Sequence, residues 1–339
     1  MSAPSAVTKV VVAEPRGFCA GVEMAIKALA WMTRLVDGPV YCYHEIVHNR
    51  IVVEAFEDAG VVFVDDLDEV PEGSPIMLSA HGSAPEVVAQ AEARGSLVVN
   101  AACPLVTKVH HEIRRRAGSG HDVIYIGHHG HQEAVGAMAV APDAVTLVES
   151  PADVDALAAT RGRGRPVALL AQTTLSLDDW SAVRDRVVDE YDDVWLPTRS
   201  DLCFATTNRQ AAVRLLAAEV DAVIVIGSPS SSNTNALEAV ARAAGASRVV
   251  RIDRVDDLPA DLSGVVGITA GASAPEHLVE QVIERLAPTG GVTARRAVDE
   301  DEYFPLPAAL RRVVPADELA LDRTTPASAV LRELAGAAR

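Results

Sequence analysis

Three of the four cysteines stand in unusual surroundings. RGFCAG (16–21), NAACPLV (100–106) and SDLCFATTN (200–208) each place a thiol where a predicted strand or loop hands over to a helix. Gly17, Gly21 and Pro104 shape the backbone there, and a helix N-terminus favours thiolate over thiol. No C-x-x-C occurs, so neither a zinc ribbon nor a ferredoxin-type run is encoded. Three thiolates from three places in the chain could instead meet on one iron–sulfur cluster, and a cubane held by only three leaves one iron open to a substrate. Cys42, in VYCYHE, lacks that context and reads as a core residue. Four inert buried thiols are the competing reading.

Polar residues follow each of these cysteines at similar intervals. His48 lies 29 residues after Cys19, His131 lies 28 after Cys103, and Asn233 lies 30 after Cys203. A second polar strand-end comes later in each case: SAHGSAPE (79–86), AQTTLSLDD (171–179) and TAGASAPE (269–276). Ser83 with Glu86, and Ser273 with Glu276, read as capping boxes. GSPSSSNTNAL (227–237) runs hydroxyls and amides straight into a helix, and several converging helix N-termini make a phosphate site. Capping without any ligand is the plain alternative for each loop alone. In GHHGHQE the carboxylate of Glu133 stands beside imidazoles, as proton delivery requires, although solvated surface histidines would look the same. His110 and His111, near Arg114–Arg116, read as surface residues. His44-Glu45-Ile46-Val47-His48 matches the zinc-hydrolase signature H-E-x-x-H, but a strand runs into it and no third ligand follows at the extended spacing.

These residues need elements to carry them. β-branched runs at Val7–Ala13, Ile76–Ser79, Val98–Ala101, Val123–Gly127, Val167–Ala171, Val223–Gly227 and Val265–Thr269 predict buried parallel strands. Helical spacing fills the intervals at Val22–Val36, Glu86–Arg94, Thr107–Ala117, Thr207–Ala218 and Ala236–Ala244. The expectation is an α/β protein of three related units packed with pseudo-threefold symmetry. Their boundaries fall at 20–103, 104–200 and 201–290, the last joined by the N-terminal strand 8–19, with a flexible tail at 313–339. Length agrees, since 339 residues suffice for two or three compact units. A net charge of −17 argues against nucleic acid as partner. No apolar run reaches the length of a membrane helix, and the first residues do not form a signal peptide, so a cytoplasmic protein is expected.

Taken in order, RGFCAGV, HEIVHN, SAHG, CPLVTKVH, GHHGHQE, QTTLS, DLCFATTNRQ, SSSNTN and GASAP resemble the 4-hydroxy-3-methylbut-2-enyl diphosphate reductases, the IspH/LytB family of the non-mevalonate isoprenoid pathway. The likeness runs from about residue 9 to residue 290. It implies a trefoil of three α/β units around a central 4Fe–4S cluster with Cys19, Cys103 and Cys203 as its ligands. It also implies that His48, His81, Ser231, Ser232, Asn233 and Ser273 hold a diphosphate, and that His131, Thr173 and Glu133 act near the substrate hydroxyl. The implied reaction is reductive loss of that hydroxyl to give isopentenyl and dimethylallyl diphosphates, fed by a ferredoxin or flavodoxin. Gln132 departs from the pattern, which often has proline there. A zinc hydrolase built on His44, Glu45 and His48 is the alternative, and a non-catalytic binder of a phosphorylated ligand is the third reading.

Overall fold

A computed structural model of the chain describes residues 6–337. Strand β1 (Val7–Glu14) leads into helix α1 (Ala20–Leu35). There follow β2 (Val40–Tyr43), α2 (Arg50–Asp58), β3 (Val61–Val64), β4 (Ile76–Leu78), α3 (Pro85–Arg94), β5 (Val98–Asn100) and α4 (Pro104–Gly118). The same grammar repeats in β6 (Asp122–Ile126), α5 (Gln132–Ala139), β7 (Val145–Val148), α6 (Pro151–Arg161), β8 (Val167–Ala171), α7 (Leu177–Glu190), β9 (Val194–Trp195) and α8 (Phe204–Ala217). It returns once more in β10 (Ala222–Ile226), α9 (Ser232–Ala243), β11 (Val249–Ile252), β12 (Gly264–Ala270), α10 (Glu276–Leu286) and β13 (Val292–Arg296).

Three separate parallel sheets result, ordered β3-β2-β4-β5, β7-β6-β8-β9 and β11-β10-β12-β1-β13. The first four strands of each list follow one plan. The strand that leads to a cysteine always lies beside the third strand of its unit, and for Cys19 that strand is β1, supplied by the start of the chain. Strands β8 and β10 are buried at every position, which explains their unbroken apolar sequences VALLA and AVIVI. β13 is exposed throughout, an edge strand closed to further pairing by the charges of Arg295 and Arg296. No helix among the described residues is long and apolar enough to cross a membrane.

Two expectations are corrected here. Ser83 and Ser273 do not cap helices: α3 and α10 begin behind Ala84 and Pro275, and neither helix has a side-chain cap. Proline fixes each chain entry, which leaves the serines one or two residues outside the helix. The segment after 312 is not a loose tail either. Helices α11 (Ala308–Arg311), α12 (Ala316–Thr324) and α13 (Ala327–Ala337) pack on α1 and α2. Leu310, Val314, Val330 and Leu331 join Leu29, Trp31 and Phe56 in one core. Polar contacts fix the register: Lys27 Nζ donates to the Asp322 carbonyl at 3.0 Å, Trp31 Nε1 to Asp322 Oδ1 at 3.1 Å, and the Ala327 amide to Glu23 Oε2 at 2.7 Å. α12 is short and has no marked apolar face, so its apolar positions gain meaning only against α1. Residues 338–339 of the expected tail lie outside the described residues.

Docking of this segment predicts a stability cost for cutting back its core. Leu310 is fully buried, so Leu310→Ala should destabilise the protein by roughly 2–5 kcal/mol. Chemical denaturation reads this as a lower midpoint; an unchanged midpoint would mean that the segment is undocked.

Candidate active site

Each candidate cysteine is the N-cap of a helix: Cys19 of α1, Cys103 of α4 and Cys203 of α8. Each amide is tied in the same way to the end of the neighbouring strand. Cys19 N donates to Ala272 O at 3.1 Å, Cys103 N to Ala80 O at 3.0 Å and Cys203 N to Thr173 O at 3.0 Å. The three sheets thereby deliver three thiols to one cavity, at the carboxyl ends of parallel strands where open α/β sheets place their sites. Cys42 takes no part; it is fully buried in the first core, where burial pushes its thiol pKa up.

The space between the thiols is kept open by a missing side chain. A Cβ on Gly21 would stand 2.8 Å from Cys103 Sγ and 3.9 Å from Cys19 Sγ. Burial, reinforced by the neighbouring Cys19, raises the Cys103 thiol pKa, and the same two causes raise that of Cys203. Thr206 opposes this at Cys203, its amide donating to Sγ at 3.2 Å. Such thiols stay protonated until a cationic group replaces their protons, the behaviour of a metal-binding set. Among the described residues no three His, Cys, Asp or Glu side chains close on a single-ion site. Sulfurs facing one another across a cavity suit a cluster, which is wider than one ion.

Three imidazoles gather in the same cavity. His48 and His81 stack with ring centroids 3.9 Å apart, and His131 lies edge-on to both at 5.5 and 6.3 Å. Burial and mutual repulsion hold His81 well below the usual histidine range, an effect partly offset by the Gln132 amide. Burial, then His48 and His128, brings His131 down to about 4. His131 caps α5, its Nδ1 accepting from the Glu133 amide at 3.2 Å, which leaves the proton of the neutral ring on Nε2. His48 Nε2 is buried with no protein partner. Ser231 caps α9, and Ser232 and Asn233 open that helix, so its free N–H groups face the same cavity. Asn233 is fixed from both sides, accepting from Ala272 N at 3.0 Å and donating to Thr206 Oγ1 at 3.2 Å. Ser273 Oγ donates to the His48 carbonyl at 3.0 Å and ties the third unit to the first. Hydroxyl, amide and imidazole groups converging with a helix N-terminus could receive an anion.

Glu133 lines the same cavity and is 3% exposed. Its carboxylate receives the Thr173 amide at 2.7 Å and the Thr173 hydroxyl at 3.1 Å. Burial raises its pKa to about 7 against those two bonds, with a further push from Asp201. Asp201, itself raised to about 6 by burial, was not singled out from sequence; it reads there as an ordinary loop acid. Gln172 was also missed, although QTTLS contains it. It donates to Ser232 Oγ at 3.1 Å and accepts from His128 N at 3.0 Å, which orients the hydroxyl.

Two sequence readings do not survive. His110 is not on the surface: it is 7% exposed, and burial lowers its pKa to about 4. The zinc motif is not helical. His44 follows β2 at φ 60°, bonded through Nδ1 to Asp65 at 2.9 Å, and α2 starts only at Arg50. Without a helix the two imidazoles lack the shared face that the signature needs.

Known proteins resemble this chain over most of its length. The LytB protein family matches residues 10–287. A protein of Rhodopirellula baltica named 4-hydroxy-3-methylbut-2-enyl diphosphate reductase is 46% identical over 89% of this chain and 96% of its own length. One of the same name from Cutibacterium acnes is 45% identical over 90% and 95%. The solved structure of the E-1-hydroxy-2-methyl-but-2-enyl-4-diphosphate reductase from Plasmodium falciparum superposes with a TM-score of 0.85, at 30% identity, over 91% of this chain and 98% of that one. Since the family match takes in every residue that lines the cavity, and the relatives and the solved structure cover about nine tenths of the chain, the chain belongs to the LytB family of reductases.

Proposed function

We propose that the chain reduces 4-hydroxy-3-methylbut-2-enyl diphosphate to isopentenyl and dimethylallyl diphosphates, the last step of the non-mevalonate pathway. The observation that carries this reading is the convergence of three thiols, a helix N-terminus with neutral donors, and one buried carboxyl group in a single cavity. The overall change consumes two electrons and two protons, breaks the allylic C–O bond and releases water. Cys19, Cys103 and Cys203 would hold a 4Fe–4S cluster, and the Gly21 cradle and the mutual proximity of the thiols support that fit. When bound, the cluster supplies the electrons and a Lewis-acidic iron beside the substrate hydroxyl.

The protein's own groups do the rest. His48, His81, Ser231, Ser232, Asn233 and Ser273 bind the diphosphate, whose charge is met by the N-terminus of α9 and by imidazole N–H groups. That capture is local, because a chain of net charge −17 provides no long-range attraction for an anion. His131 and Thr173 position the substrate hydroxyl. Glu133 holds a proton near neutral pH and gives it to the departing oxygen. A one-electron carrier such as a ferredoxin or flavodoxin delivers the electrons, in keeping with a cytoplasmic protein.

Anaerobic purification should yield about four irons and four sulfides per chain. Cys19→Ser, Cys103→Ser and Cys203→Ser should each lose most of the iron, whereas Cys42→Ser should keep it; iron analysis that ranks Cys42 with the other three overturns the ligand set. Glu133→Gln should retain iron but lower turnover by about 100-fold or more. For the wild type the sign follows from the raised pKa: the donor is protonated below about 7 and loses its proton above. Turnover under saturating substrate should therefore fall as pH rises through about 7, and a flat profile across that range would remove Glu133 from the proton path.

A further inference from the structure

Arg209 is a fully buried arginine, 1% exposed, with no part in the chemistry described above. It stands on α8, six residues after Cys203, and reaches the loop that carries Cys19. Nε and Nη2 both donate to the Gly17 carbonyl, at 3.0 and 2.8 Å, and Nη2 also reaches the Phe18 carbonyl at 3.2 Å. The amides of that loop are taken by the end of β12, Gly17 N donating to Ala270 O at 3.2 Å and Cys19 N to Ala272 O at 3.1 Å. One guanidinium thus satisfies the carbonyl side of the turn that aims Cys19. Gly17 adopts φ +66°, a conformation that residues with a side chain rarely take, while Phe18 packs against the first core.

Glu300 completes the arrangement from the other side. It accepts from Arg209 Nη1 at 2.9 and 3.1 Å and from Asn208 Nδ2 at 2.9 Å. Phe304, four residues on, packs edge-on against Phe204, the residue after Cys203, with centroids 6.3 Å apart. The 297–307 segment lies outside the residues matched by the family, which end at 287. It nevertheless neutralises the one buried cation that links two candidate metal-binding segments.

We infer that Arg209 and Glu300 form a clasp that fixes the Cys19 loop against the Cys203 helix, making them positioning residues for the metal centre and the C-terminal segment part of its enclosure. The inference rests on the proposed cluster, and it concerns retention of that cluster. Residues that orient metal ligands from behind typically change metal affinity by about 10–100-fold when replaced. Lys at position 209 keeps the charge but cannot present the planar fork that spans two carbonyls and a carboxylate.

The test uses the full chain, reconstituted with iron and sulfide under anaerobic conditions and challenged with an iron chelator. Glu300→Ala and Arg209→Lys should each lose iron roughly tenfold faster than the wild type, and Glu300→Asp should recover most of the loss. Asp301→Ala, in the same segment but outside the clasp, should match the wild type. Alkylation of the metal-free chain, followed peptide by peptide, should show Cys19 reacting faster in Glu300→Ala and Cys42 unchanged. Wild-type rates of both iron loss and Cys19 alkylation in Glu300→Ala and Arg209→Lys would overturn the clasp. A wild-type chain that takes up no iron overturns the cluster reading instead, and the alkylation arm then decides by itself whether the clasp holds the loop.

Discussion

One hydrogen bond, made three times, sets the geometry of this protein. In each sheet the amide of a cysteine donates to the carbonyl just past the end of the adjacent strand. Each bond is worth only about 0.5–1.5 kcal/mol net, but it decides where a helix may start and which way its first side chain points. Because the three sheets share one strand plan, the same bond in each delivers a thiol to the same side of its sheet. The cavity is then what remains where three helix N-termini approach without filling the space. Gly21 is a condition of that approach, since any larger residue would occupy the gap between two sulfurs.

Electrostatically the cavity is held in suspense. Burial keeps Cys103 and Cys203 protonated, holds His81 and His131 neutral, and leaves Glu133 divided between its two forms near neutral pH. A site of this kind contains few permanent charges despite its many titratable groups. Its charge state is therefore set by what enters it. Glu133 lines the same cavity, and its proton balance is set by burial, Thr173 and Asp201.

Much of this was legible in the chain. β8 and β10 are continuous apolar runs because both faces of each strand are covered, and the cysteines betrayed themselves by glycine, proline and hydroxyl neighbours that no core position needs. What escaped was long-range. Leu310 and Val330 look like scattered apolar residues until α1 is beside them. His110 follows an apolar helical face, but the arginines on the next turn masked its direction. Ser83 and Ser273 fit the capping-box pattern, and proline at the chain entry overrode it. Arg209 and Glu300 are 91 residues apart and meet only in the folded protein.

The origin of β1 has a consequence for the order of events during synthesis. β1 completes the third sheet by pairing Val12 with Ile268 and Val10 with Val292. Cys19 is the first of the three thiols to leave the ribosome, yet its strand has no partner until nearly the whole chain has followed. Cys103 and Cys203 can be fixed by strands already made, since β4 precedes β5 and β8 precedes β9. The earliest thiol is thus the last to be placed, and a nascent chain cannot present all three thiols to one cavity before its own final sheet has closed.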